Sequence, residues 1–166
     1  MGRDLLKFHV FANAIEKCDN ILKLYDINIM DILTKQDEEG CKNALHAFVS
    51  IVAIQIALVD LLTSLEITAD YMISHSAGEL GCAYADKCLT LEQTILSAYF
   101  IGIACVEKNI IHSSMAVVNL DYKRLKNICP ANIEIICYNN QNSNIVCGPA
   151  ESIKKFVKKL QINNIM

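Results

Sequence analysis

Apolar positions recur along the chain at two spacings, and each spacing predicts an element. Leu5, Phe8, Phe11, Ala12, Ile15 and Cys18 return every three or four residues, so a first helix with one apolar side is expected, capped by Asp4. A loop with Asp26 and Asn28 follows, then the apolar run 29–33 and a polar break over 35–40. From Asn43 to Leu65 polar residues are few, which predicts a long buried helix. Tyr71 to Ser74 reads as a short buried strand running into a small-residue helix that ends near Ala85. Thr90-x-x-Gln93 has the form of a capping box and opens a helix carrying Ile95, Leu96, Tyr99, Ile103 and Val106.

Beyond Ser114 the spacing shortens. Strands are expected over 115–118, 133–138 and 144–148, with a short helix over 121–128. Asn139, Asn140, Asn142 and Asn144 suggest the turn between the last two strands. Pro149 suits the first turn of a final helix reaching Leu160. The order β-α-β-β-α is that of a ferredoxin-like unit without its last strand.

Composition narrows the class. The chain has 166 residues, 53% of them hydrophobic and 20% charged, with a net charge of -3; this excludes a disordered chain and a basic nucleic-acid binder. The run from Phe48 to Leu65 approaches bilayer length, but Gln55 and Asp60 lie inside it and no Lys or Arg flanks it, so a core helix rather than a membrane span is expected. The eight Cys form no C-x-x-C pair, and several sit in apolar runs; with no apolar leader before Lys7, reduced thiols and a cytoplasmic location are expected.

One segment carries chemistry. A strand, then Ser74-His75-Ser76-Ala77-Gly78-Glu79, then a helix is the setting of a nucleophile elbow. A serine on such a turn holds its Oγ clear of the chain, with the following amide and the helix N-terminus facing a developing oxyanion. Ser76 is the candidate nucleophile and the Ala77 N–H a candidate oxyanion donor. Ser74 stands where the pattern G-x-S-x-G has its first glycine. Gln55 could line the site or serve as a core amide, and Glu79 could cap or salt-link near the turn. Lys154, Lys155, Lys158 and Lys159 share the polar side of the last helix, a solvated face or a docking patch.

His75-Ser76-x-Gly78-Glu79 with Leu80 to Asp86 resembles the malonyl/acetyl transferase domain of animal type I fatty acid synthase, of insect type. Residues 1–5, 31–33, 48–51, 53–55, 58–60, 98–99, 115–117 and 148–149 fit that domain in order. Acyltransferase domains of polyketide synthases are the near alternative. The resemblance implies an α/β fold, with an α/β-hydrolase-like core over 1–112 and an incomplete ferredoxin-like subdomain over 113–166. It implies an acyl group moved from acyl-CoA to the phosphopantetheine thiol of an acyl carrier protein through a Ser76 ester, with no bound cofactor or metal. The other domains of the synthase are then partners. His75 belongs to the elbow near the substrate.

Three features depart from the family pattern. The family's catalytic His lies beyond the ferredoxin-like insert and matches none of His9, His46, His75 and His112. Its glycine-and-glutamine loop precedes the segment that matches Gly2-Arg3-Asp4. Ile101, after Tyr99-Phe100, takes the position of the Arg that pairs with a malonyl carboxylate, so a pocket preferring uncharged acyl groups is expected. Three readings follow: an acyltransferase domain or a fragment of one, a degenerate acyltransferase fold with a structural or docking role, and a serine hydrolase.

Overall fold

The computed structural model describes residues 2–34, 44–107 and 113–162. The polar break over 35–40, Cys41, Asn43 and His112 lie outside them. The chain forms two compact units, residues 1–108 and 109–166.

In the first unit a 3-10 turn, Arg3–Lys7, precedes helix α1, His9–Leu22. Asp4 is not the cap expected of it: Phe8, with extended backbone, sits at the start of α1, and the helix buries Phe11, Ala14, Ile15, Cys18 and Leu22. A second 3-10 turn, Lys23–Tyr25, leads to α2, Ile29–Thr34. Helix α3, Ala44–Ser64, is the scaffold of the unit. It meets α1, α2, α4 (Gly78–Ala85) and α5 (Leu91–Glu107), which explains why its sequence is apolar on nearly all sides. Its length and hydropathy would suit a membrane span, yet Val49, Val52, Ala53, Ile56 and Ala57 are buried within the unit. Each large aliphatic side chain sealed there contributes about 1.5–3 kcal/mol, an upper estimate against an extended unfolded chain.

Both halves of the capping box that opens α5 are made: Thr90 N–H donates to Gln93 Oε1 at 2.9 Å, and Gln93 N–H to Thr90 Oγ1 at 3.2 Å. The ends of α1 and α2 are joined by Asp19, which is buried; its Oδ1 accepts Ile29 N–H at 2.7 Å and its Oδ2 pairs with Lys23 at 2.7 Å. One backbone donor at the start of α2, the Ile29 N–H, is thus satisfied from another helix.

The second unit is a three-stranded antiparallel sheet ordered β1-β3-β2, from β1 (Ser113–Val118), β2 (Glu134–Asn140) and β3 (Ser143–Pro149), with helices α6 (Tyr122–Ile128) and α7 (Ala150–Ile162). Ala116 pairs with Val146 and Val117 with Ile145, so Val118 and Val146 turn inward onto Leu125, Ile153, Phe156 and Leu160. Asp121 caps α6 by accepting Arg124 N–H. Pro149 ends β3 instead of starting α7. The turn between β2 and β3 is Gln141–Asn142; Asn144 is a buried strand residue, whose Nδ2 donates to Leu120 O at 2.6 Å.

Candidate active site

The serine turn is set by three features of the first unit. The first is backbone. Among the described residues four non-glycine positions have positive φ: Asp26, Glu66, Ser76 and Lys87. Asp26, Glu66 and Lys87 each follow a helix, where a left-handed residue is an ordinary C-terminal stop. Ser76, with φ 57°, precedes one. A left-handed serine costs roughly 1–2 kcal/mol over the right-handed form, a strain that collects at functional turns.

The second feature is the helix that follows. Gly78 N–H donates to His75 O and Glu79 N–H to Ser76 O, both at 3.0 Å, closing the turn and starting α4. The Ala77 N–H makes no hydrogen bond among the described residues, and it is the amide directly after the serine. It is therefore an unspent donor at the N-terminus of α4. Ser76 and His75 are exposed, and neither side chain is hydrogen-bonded among the described residues. Ser74 replaces the usual glycine without conflict, because even a Cβ added at Gly78 would meet Ser74 Cβ at an ordinary 3.7 Å.

The third feature is an open groove of about 520 Å³ beside the turn, with Gln55, Ser74, His75, Gly78 and Cys82 on its walls. Leu58, Val59, Leu62 and the segment 71–73 make its apolar side. That segment differs from the buried strand expected of it. Residues 71–75 form no regular secondary structure and have no strand partner among the described residues, and Tyr71 and Ile73 are 93% and 97% exposed. Without a neighbouring strand no layer covers their side chains.

Ser76 and Ala77 are not among the groove's walls, and neither is Ile101. It sits half-exposed on α5, next to an aromatic cluster in which the rings of Tyr25 and Tyr99 lie 4.7 Å apart and those of Tyr99 and Phe100 5.3 Å. The structure therefore brings Ser74, His75, Ser76 and Ala77 together at one turn and leaves Ile101 on the next helix.

Two contributors carry no sequence motif. The Tyr84 hydroxyl donates to Asp60 Oδ1 at 2.7 Å, tying the end of α4 to α3; burial, then the carboxylate, pushes the phenol pKa up. Cys18, beneath the same region, is pushed up to about 12, first by burial and next by Asp60. The signal available was an Asp inside an apolar run. Cys18, Cys82, Cys88, Cys105, Cys129, Cys137 and Cys147 are free thiols, and no cluster of metal-ligating side chains occurs among the described residues.

The acyl transferase domain family matches residues 1–166, and the chain belongs to that family. It is 34% identical over 163 residues to the reducing polyketide synthase PKS1 of Cochliobolus heterostrophus, an alignment covering 92% of this chain and 6% of the relative. It is 30% identical over 177 residues to the highly reducing polyketide synthase GPY1 of Gibberella fujikuroi, covering 100% of this chain and 7% of that one. The chain thus spans under a tenth of the length of these relatives. Among solved structures it is similar to a loading acyltransferase from the avermectin modular polyketide synthase, with TM-score 0.86 and 20% identity over 98% of this chain and 54% of that one. FabD from Acinetobacter baumannii gives TM-score 0.82 and 18% identity over 98% and 54%. The fold is accordingly the α/β fold of acyltransferase domains. The relatives named here are fungal polyketide synthases, not animal fatty acid synthases.

Proposed function

We infer that this chain supplies the acyl-transfer step of a multidomain synthase. Ser76 Oγ attacks the thioester carbonyl of an acyl-CoA, the C–S bond breaks, and the CoA thiol leaves with the proton that Ser76 gave up. The resulting ester is attacked by the phosphopantetheine thiol of a carrier protein, and Ser76 recovers its proton. The Ala77 N–H holds the oxyanion in both halves. The observation that carries this reading is the left-handed Ser76 ahead of α4 with the next amide unspent. No cofactor takes part. The fatty acid synthase setting rests on the residue pattern around the elbow, whereas the relatives point to a polyketide synthase; the transfer chemistry is common to both. The free thiols fit a cytoplasmic location.

Ile101 stands where the family pattern has its carboxylate-binding arginine, and on that ground the chain favours acetyl and other uncharged acyl groups over malonyl, since an isoleucine gives a carboxylate neither charge nor hydrogen bond. Incubation with radiolabelled acetyl-CoA and malonyl-CoA tests both statements. Label is expected on Ser76, lost in Ser76→Ala, stronger from acetyl, with Ile101→Arg shifting uptake toward malonyl. Absence of any label on a folded protein that also supplies the family's histidine would overturn the enzyme reading. The second reading, a degenerate module, draws on one observation: no described histidine is hydrogen-bonded to Ser76 to take its proton.

A further inference from the structure

We propose that Gln55 is a positioning residue for the Ser76 turn: its side chain fills the space that Gly81 leaves on α4 and reaches along the helix toward Gly78, and so sets how far the first turns of that helix stand from α3. The proposal rests on Ser76 as the acyl-carrying residue.

The geometry is one of occupied space. A Cβ on Gly81, which is buried, would come 2.8 Å from Gln55 Oε1 and 3.2 Å from Gln55 Cβ and Cδ. A Cβ on Gly78 would meet Gln55 Nε2 at 3.9 Å. Positions 78, 81 and 84 lie on one face of α4. The amide of Gln55 therefore lies along the glycine half of that face, and the Tyr84–Asp60 hydrogen bond holds its other end. Gln55 and Asp60 come from the same helix, so α3 fixes α4 at two points on either side of Cys82.

Gln55 acts here through length and shape. Its Oε1 is buried and has no hydrogen-bond partner among the described residues. A buried carbonyl left unpaired is a cost, so no hydrogen bond accounts for the contact. The residue as a whole is half-buried and lines the groove, which leaves the far side of the amide open. A side chain of equal reach without the amide should then do the same work.

The test is native-state hydrogen exchange on the full chain, read at the amides of Gly78, Glu79 and Leu80, which donate to His75, Ser76 and Ala77 carbonyls at 3.0, 3.0 and 3.3 Å. Gln55→Ala is expected to speed exchange there about tenfold while α1 amides keep their rates, and Gln55→Met to restore them. Gly81→Ala should loosen the same amides. Adding Gln55→Ala to it should make matters no worse, because the atom at 2.8 Å is gone. Gln55→Asn, one methylene shorter, carries the test if Gln55→Ala does not fold. The proposal is overturned if these amides do not respond, if α1 responds equally, or if Gln55→Met fails to restore them. Labelling by acetyl-CoA, run in parallel, separates this from the acyltransferase reading. Selective loosening in a protein that also supplies the family's histidine and never takes label keeps the positioning role and sinks the enzyme. Label on the wild type with no response in Gln55→Ala sinks the positioning role alone.

Discussion

Replacing Gly102 with alanine puts one carbon where α5 passes close to the backbone of α3. Gly102 is buried on α5, and a Cβ there would lie 2.7 Å from the Cα of Leu45 and 2.9 Å from its Cδ1. Carbon atoms pack at about 3.5–4.0 Å, so the gap falls short by roughly 1 Å. The Leu45 side chain could turn aside, but its Cα belongs to the α3 backbone and cannot move without the helix. Overpacking of this kind costs about 1–3 kcal/mol, and a backbone obstacle places it in the upper part of that range. Against it, alanine in a helix interior gains about 1 kcal/mol over glycine. The net expected loss is about 1–2 kcal/mol, which at an m-value of about 2 kcal/mol/M moves the urea midpoint down by about 0.5–1 M. Urea titration followed by far-UV circular dichroism reads this directly. Gly78→Ala is the control, since its added carbon would meet neighbours at an ordinary 3.7 and 3.9 Å, and it should unfold at or above the wild-type midpoint. If Gly102→Ala is as stable as the wild type, the close approach of α5 to α3 is not what the geometry implies.

Asp19→Asn keeps an acceptor for the Ile29 amide and loses only the pair with the exposed Lys23, so it should be near neutral, whereas Asp19→Ala strands a buried donor and should cost about 1–3 kcal/mol by denaturant titration. Tyr84→Phe removes a hydrogen bond to a carboxylate and should lower stability by about 1–2 kcal/mol, with no loss in Tyr84→Phe refuting the tie between α4 and α3. Cys18 keeps its proton in the folded chain up to about pH 12, while the unfolded chain releases it near the ordinary 9.0. The folded state therefore binds the extra proton between those values, and the contribution, complete below pH 9.0, declines as pH rises above it. Maleimide at pH 8 should accordingly modify Cys18 only after urea is added, and rapid modification without denaturant would refute the burial.

The parts of the fold that local rules govern were legible. Thr90 and Gln93 stand at capping-box spacing, and both bonds form; the unrelieved apolar run of α3 implied a helix covered on most sides, and four helices meet it. Lys154 and Lys155 opposite Ile153 and Phe156 fixed the exposed side of α7. What escaped depends on distant partners. Asp19 sits on the apolar side of α1, and nothing local says that the start of α2, ten residues on, will claim its carboxylate. Asn144 stood at the border of turn and strand, with three other asparagines just before it; its bond to the Leu120 carbonyl, which buries it in the sheet, was not legible. Tyr71 and Ile73 have strand residues' chemistry without a paired neighbour among the described residues to bury them. At the site, Ser76 and Ala77 were readable from order alone, whereas the fit of Gln55 against two glycines needs coordinates.

The left-handed backbone at position 76 also changes what a knockout means. Alanine suffers the same steric conflict there as serine, while glycine escapes it. Ser76→Gly should then give a protein tougher than its parent and chemically silent. A serine that sits where glycine would be more comfortable carries a conformational cost that only the proposed ester chemistry offsets; without that chemistry, glycine is the thermodynamically favoured residue at this turn.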